Sequence, residues 1–225
     1  MLSAIRDAFA ILEEEVAAGR VAGYGVATWA GLGEAFTVGE LLALAAEAAG
    51  GQHHHLVAVK MPVSLVMMTP IARALHGRGP LPAAADVGRR VMASAPLHGG
   101  ELPGMVGQEL ADLVRPDLPP AQACILAVAS CPGMTDVLLA ASGAPHWREA
   151  ADAVAQPSLT AATLRETARH PSSFTYWSSL SRCTWRWVIR QTASPRNASW
   201  MSSRRSQRVR RRRKPWSQTI VRSTT

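Results

Sequence analysis

The chain has 225 residues, 48% of them hydrophobic, and a formal net charge of +8 that is unevenly placed. Residues 1–166 hold 10 Lys and Arg against all 16 Asp and Glu, a net of −6, whereas residues 167–225 hold 14 Lys and Arg and no acid, a net of +14. With no run of 18 apolar residues and no basic segment followed by an apolar one at the start, neither a membrane helix nor a secretion signal is expected, which leaves a cytoplasmic protein as the expectation.

The first predicted element is a helix. Leu2, Ile5, Phe9, Leu12 and Val16 recur at steps of three and four, with Glu13, Glu14 and Glu15 assigned to the opposite side and Gly19 as a stop. It feeds a short strand-like run in Val21–Thr28. Thr37 followed three residues later by Glu40 then predicts a capping box that opens a second helix, carrying Leu41, Leu44, Ala45 and Ala48 and ended by Gly50 and Gly51. Further apolar runs at Leu56–Met61, Val91–Ala95 and Val137–Ala141 read as strands. Helix-like Ala121–Ser130 precedes the last of them and helix-like Ala144–Val154 follows it. Strand starts near 21, 56, 91 and 137 lie 35, 35 and 46 residues apart, room in each case for a strand, a crossover helix and two loops. Four consecutive βα units, apolar on both strand faces, predict a parallel α/β architecture, and pattern alone leaves open a barrel lineage or a doubly wound sheet.

Two blocks, RRVMASAPLHGGEL (Arg89–Leu102) and CPGMTDVLLAASGAPHWREAADAV (Cys131–Val154), are each an apolar run that breaks into Gly and Ser before a polar segment. Parallel strands whose carboxyl ends open into ligand-facing loops have this form. Together with residues from about Leu2 onward, the blocks resemble the last four βα units of the aldo/keto reductases, NADP-dependent oxidoreductases built on a (β/α)8 TIM barrel. The resemblance rests on Gly19, Arg20, Gly25 and Val26 around a fifth strand, and on Ser94, Pro96, Leu97, Gly100 and Leu102 around a seventh strand and its loop. Ser142, His146 and Glu149 match at the eighth strand and the helix that recognises the 2′-phosphate of NADP.

The resemblance implies a cofactor site formed by Thr28, Lys60, Ser94, Pro96, Leu97, Gly100, Ser142, Gly143, His146 and Glu149. Small residues at Gly99, Gly100, Ser142 and Gly143 suit it, because they let backbone N–H groups and a helix amino terminus approach a pyrophosphate. Departures also occur. The family's Ser-Asn pair is Ala27 and Thr28, its sixth-strand Gln is Lys60, the Asn after it is Ser64, the Gly or Lys before the last loop is Ala140, and the adenine-contacting Asn is Ala150. A lysine donates and cannot accept, so it cannot reproduce both hydrogen bonds of an amide. Weak NADP binding is the expectation. The family's catalytic Asp, Tyr, Lys and His lie in its first four strands, and the resemblance places Met1 near the fourth helix. No catalytic residue is assigned, and the chain reads as a fragment of such an enzyme, inactive alone and able to act on a carbonyl substrate only if complemented.

Other residue types carry less. His53, His54 and His55 alternate in direction on an extended segment, so at most two can converge, and no acid or cysteine lies near them in sequence. Cys124, Cys131 and Cys183 form no close-spaced pair, as expected in a reducing compartment, and the first two read as buried structural thiols. Met61, Met67 and Met68 read as core filling. Lys60 on an internal strand allows a Schiff-base lysine, against the plainer alternative of a salt-bridged or snorkelling side chain.

The carboxyl-terminal part reads differently. Residues 167–225 contain twelve Ser, five of the seven Trp and only seven Val, Ile, Leu or Phe, too few for a packed core. The boundary is drawn at Gln156, with a βα domain over 1–156 and a basic tail expected to be disordered over 157–225. Ser202–Trp216 packs eight Lys or Arg into fifteen residues, enough for salt-sensitive, sequence-independent contact with nucleic-acid phosphates. A basic-tailed nucleic-acid-binding or scaffold protein is therefore the alternative to the reductase reading. The joint rise of Ser, Arg and Trp also fits a GC-rich coding region read in a shifted frame.

Overall fold

The computed structural model describes residues 1–141 and 143–170 and the backbone of 219–222. In chain order the elements are α1 (Leu2–Ala17), β1 (Tyr24–Ala27), α2 (Gly31–Glu34), α3 (Val38–Ala49), β2 (Leu56–Pro62), α4 (Thr69–Ala74), α5 (Pro80–Ala85) and β3 (Arg90–Ser94). After a 3-10 turn at His98–Gly100 come α6 (Leu102–Met105), α7 (Gln108–Val114), α8 (Pro120–Ala129), β4 (Asp136–Leu139), α9 (Ala144–Ala155), α10 (Ala161–Arg169) and β5 (Thr219–Arg222). No helix among the described residues is long and apolar enough to cross a membrane.

The four predicted strands form an all-parallel sheet in the order β1-β2-β3-β4, and β5 adds antiparallel to the free edge of β4. The fold is α/β, built of consecutive βα units, and no reversal of strand order occurs among β1–β4. Side chains alternate across the sheet. One face, carrying Val59, Met61, Val91, Ala93, Val137 and Leu139, is buried in the core. On the opposite face Ala27, Lys60, Met92 and Leu138 are exposed or half-exposed, whereas Ala58, Pro62 and Asp136 are buried.

The helices follow their sequence signals. Thr37 Oγ1 accepts the Glu40 N–H at 3.2 Å while Glu40 Oε2 accepts the Thr37 N–H at 2.7 Å, the reciprocal box that satisfies two otherwise unpaired donors at the start of α3. Gly50, at φ +71°, ends the helix in the left-handed region. Helix α3 seats Leu41 and Ala45 in the core, and α1 packs against it. On α1 only Phe9 is fully buried, its ring 5.1 Å from that of Tyr24. Helix α8 is buried from Ala123 to Ala129 because it lies among α6, α7, α9 and β4, which is why its sequence is apolar all round.

Two expectations are corrected. Residues beyond Gln156 do not begin a tail: Arg115 binds the Gln156 side chain and the Pro157 carbonyl, the Leu159 N–H donates to Ser130 Oγ, and α10 buries Leu164 and Thr167. The domain therefore runs to the end of α10, and the remainder of the predicted tail, apart from β5, lies outside the described residues. Glu13, assigned to the solvent side of α1, is instead drawn under the strand ends. Its Oε1 accepts from the Tyr24 hydroxyl and the His55 N–H, both at 2.8 Å, and its Oε2 lies 2.7 Å from His55 Nδ1.

Candidate cofactor site

Parallel strands in sequence order carry all four following loops to one edge of the sheet. At that edge the ladder continues beyond the strands: the Thr28 N–H donates to the Lys60 carbonyl at 3.0 Å, and the Val63 N–H to the Ser94 carbonyl at 3.1 Å. Thr28, Lys60 and Ser94 are thus joined through neighbouring strands. Pairing of β3 with β4 brings the loop after Ser94 beside the segment that leads into α9.

The loop after β3 is the most constrained stretch at this edge. Ala95 at φ 53° and His98 at φ 46° sit in the left-handed region that non-glycine residues seldom adopt, and Gly99 and Gly100 follow at 71° and 98°. Such a conformation persists only where the surroundings impose it. Here buried Ser64, just past β2, supplies the tie: its Oγ lies 3.0 Å from His98 Nε2 and accepts the Met67 N–H at 3.1 Å. Burial lowers the pKa of His98, against the opposing pull of Glu101, so the ring is neutral near pH 7 and its Nε2 can accept the Ser64 hydroxyl proton. Pro96 is buried and Leu97 half-buried, anchoring the turn, while Gly99 and Gly100 are exposed at its tip. The Gly100 N–H is already used, donating to the Leu97 carbonyl at 2.9 Å.

Helix α9 starts at the second loop. Gly143 is its N-cap, no side chain among the described residues is seen to cap it, and its first turn holds no acid. Pro145 removes one donor there, and the Trp147 N–H donates to the Gly143 carbonyl at 3.3 Å. His146 and Glu149 are exposed on this helix, whereas Ala150 is buried against the core. Ser142 lies outside the described residues.

Nine of the ten expected residues therefore fall into three places along one edge, the tenth being Ser142. Thr28 and Lys60 sit at β1 and β2, Ser94, Pro96, Leu97 and Gly100 on the strained loop, and Gly143, His146 and Glu149 at the start of α9. The Thr28 hydroxyl is occupied in accepting the Gly31 N–H at 2.8 Å. Lys60 stands on the half-exposed sheet face between Ala27 and Met92, with no ion pair among the described residues. Sequence reasoning did not find the Ser64–His98 pair, whose members are 34 residues apart. The only available signal was a serine and a histidine each placed just past a strand.

The cysteines take no part in this edge. Cys124 and Cys131 are buried, and burial pushes both thiols up to about 12, which keeps them protonated and unreactive. Cys183 lies outside the described residues. No protein-family model matches the chain, and no curated protein matches it.

Proposed function

We propose that the chain is the cofactor-side half of an aldo/keto reductase-type oxidoreductase, a cytoplasmic NADP-binding βα unit that does not turn over carbonyl substrates by itself. The observation that carries this is the pairing, at one sheet edge, of the left-handed Ala95–Gly100 loop with the amino end of α9, whose first turn holds no acid. The two loops of the resemblance stand in its order, on adjacent parallel strands. Exposed Gly99 and Gly100 allow a phosphate close approach, and the partial positive charge at the amino end of α9 favours its negative charge. The bound cofactor would supply hydride to a carbonyl carbon. This chain's part is to hold the phosphates and to set the cofactor over the sheet edge near Lys60.

Several features limit affinity. The Gly100 amide is used within its own turn, one lone pair of the Thr28 hydroxyl is taken by the Gly31 N–H, and Lys60 offers a carboxamide donors only. Equilibrium dialysis of the whole chain with NADPH is the test, with an expected Kd above roughly 100 µM, about 5.5 kcal/mol of binding. Retention of that binding when Gly143 is changed to Asp would overturn the reading, because a carboxylate at the helix end should repel the phosphate. A low-micromolar Kd would overturn the limits just described.

A further inference from the structure

At the opposite, amino-terminal ends of β2 and β3, a second cleft opens that the cofactor reading leaves unused. Its volume is about 360 Å³, at the lower end of the roughly 300–1,000 Å³ usual for small-ligand sites. Leu42, Ala43 and Ala46 of α3 form one wall and Val87 stands opposite. Three polar residues complete the lining: Gln52, His54 and Arg89, with no carboxylate among them.

Arg89 is the unusual member. It is half-buried, and its Nε–H is removed from water with no hydrogen-bond partner. No ion pair among the described residues engages it. The next residue, Arg90, shows the normal arrangement, with Nη2 at 2.7 Å and Nε at 3.1 Å from the two oxygens of Asp136. A guanidinium with its Nε–H out of water beside an apolar wall, and with no acid paired to it among the described residues, is matched by an anion that brings its own two oxygens.

We propose that this cleft binds a small monoanionic carboxylate with an aliphatic tail, Arg89 holding the carboxylate and the α3 wall the tail. The stoichiometry of charge favours a monoanion. Burial first, and the Arg89 charge second, lower the pKa of His54, so at neutral pH that ring is a hydrogen-bonding neighbour and not a second cation. Gln52 adds an amide donor. A phosphate dianion would find one positive charge where it needs more, and would leave the apolar wall wet.

Isothermal titration calorimetry of the whole chain with sodium octanoate, octan-1-ol and inorganic phosphate tests this. Octanoate should bind saturably, and octan-1-ol at least about tenfold more weakly. Phosphate should not displace octanoate. Arg89→Met, which keeps the side-chain length and removes every N–H donor, should weaken octanoate by at least about tenfold, or 1.4 kcal/mol, with an unchanged far-ultraviolet circular dichroism spectrum. Ala43→Phe, at an exposed α3 position on the wall, should weaken octanoate and leave Arg89 intact. The proposal is overturned by the absence of saturable octanoate binding up to about 10 mM. Equal affinity for octan-1-ol, displacement by phosphate, or a loss of less than about tenfold in folded Arg89→Met would overturn it as well.

Discussion

The seam between β3 and β4 offers the sharpest test of how this sheet is held. Only Met92↔Asp136 and Ala93↔Val137 are in register there, so side chains must supply much of the cohesion. Arg90 grips Asp136 with two bonds, and the Thr135 hydroxyl accepts the Val91 N–H at 2.8 Å while lying 2.7 Å from Asp136 Oδ2. The two partners differ in exposure: the Asp136 side chain is 2% accessible and that of Arg90 39%. Arg90→Met takes a counter-charge and two hydrogen bonds from a buried carboxylate and should cost about 3–5 kcal/mol, the usual penalty for breaking one side of a buried pair. Asp136→Asn frees a guanidinium that already reaches water, and its cost should be nearer 1–2 kcal/mol. Urea denaturation at pH 7 gives both values. In a thermal scan, a loss of about 4 kcal/mol corresponds to a fall in Tm on the order of 10 °C for a domain of this size. An Asp136→Asn variant as destabilised as Arg90→Met would refute the claim that desolvation of the carboxylate sets the cost.

Other outcomes follow from single features. Thr37→Ala should lose about 1 kcal/mol through the α3 capping box, measured by urea denaturation. Gly25→Val should destabilise by more than about 2 kcal/mol, because even a Cβ there meets the Ala58 carbonyl oxygen at 2.8 Å and overpacking against backbone cannot relax cheaply. Because His98 has a lowered pKa in the fold, its contribution is complete above its ordinary value of 6.5 and is lost as pH falls through the lower folded value. The wild type should therefore lose stability relative to His98→Gln between about pH 7 and 5, and parallel pH profiles would count against the Ser64–His98 tie. With eight Lys or Arg in Ser202–Trp216, oligonucleotide affinity should fall steeply with salt and show less than about tenfold sequence preference in fluorescence anisotropy.

What the sequence disclosed depended on whether a signal was local. Strands apolar on both faces, such as Leu56–Pro62, and the Thr37–Glu40 box announce themselves within a few residues, and the structure places them where the periodicity does. The barrel and doubly wound alternatives differ only in strand order, which no window of sequence contains. The domain end was missed because α10 has a single fully buried apolar residue, Leu164, and its attachment runs through Arg115, Ser130 and the Leu75 carbonyl far away in the chain. Glu13 was misplaced for a related reason. Helical spacing assigned it to the polar side, and its partner His55 lies 42 residues on.

The same distinction bears on both candidate sites. Parallel sheets ordinarily have both faces covered, yet among the described residues the helices cover one and leave Ala27, Lys60, Met92 and Leu138 open to solvent in part on the other. On that face an apolar seam would be exposed. The β3–β4 seam is instead closed by a charged pair with one buried and one watered end, Asp136 and Arg90. Polar closure leaves the strands free to carry unlike chemistry at their two ends: a left-handed turn at Ala95–Gly100 and, at Arg89, an Nε–H out of water with no partner among the described residues. Since Arg89 and Arg90 are adjacent and alternate in direction, the same strand start that fixes Arg90 on Asp136 turns Arg89 away from that acid. Loosening the seam with Arg90→Met should accordingly disturb both ends of β3, whereas Arg89→Met should leave the Ala95–Gly100 turn untouched.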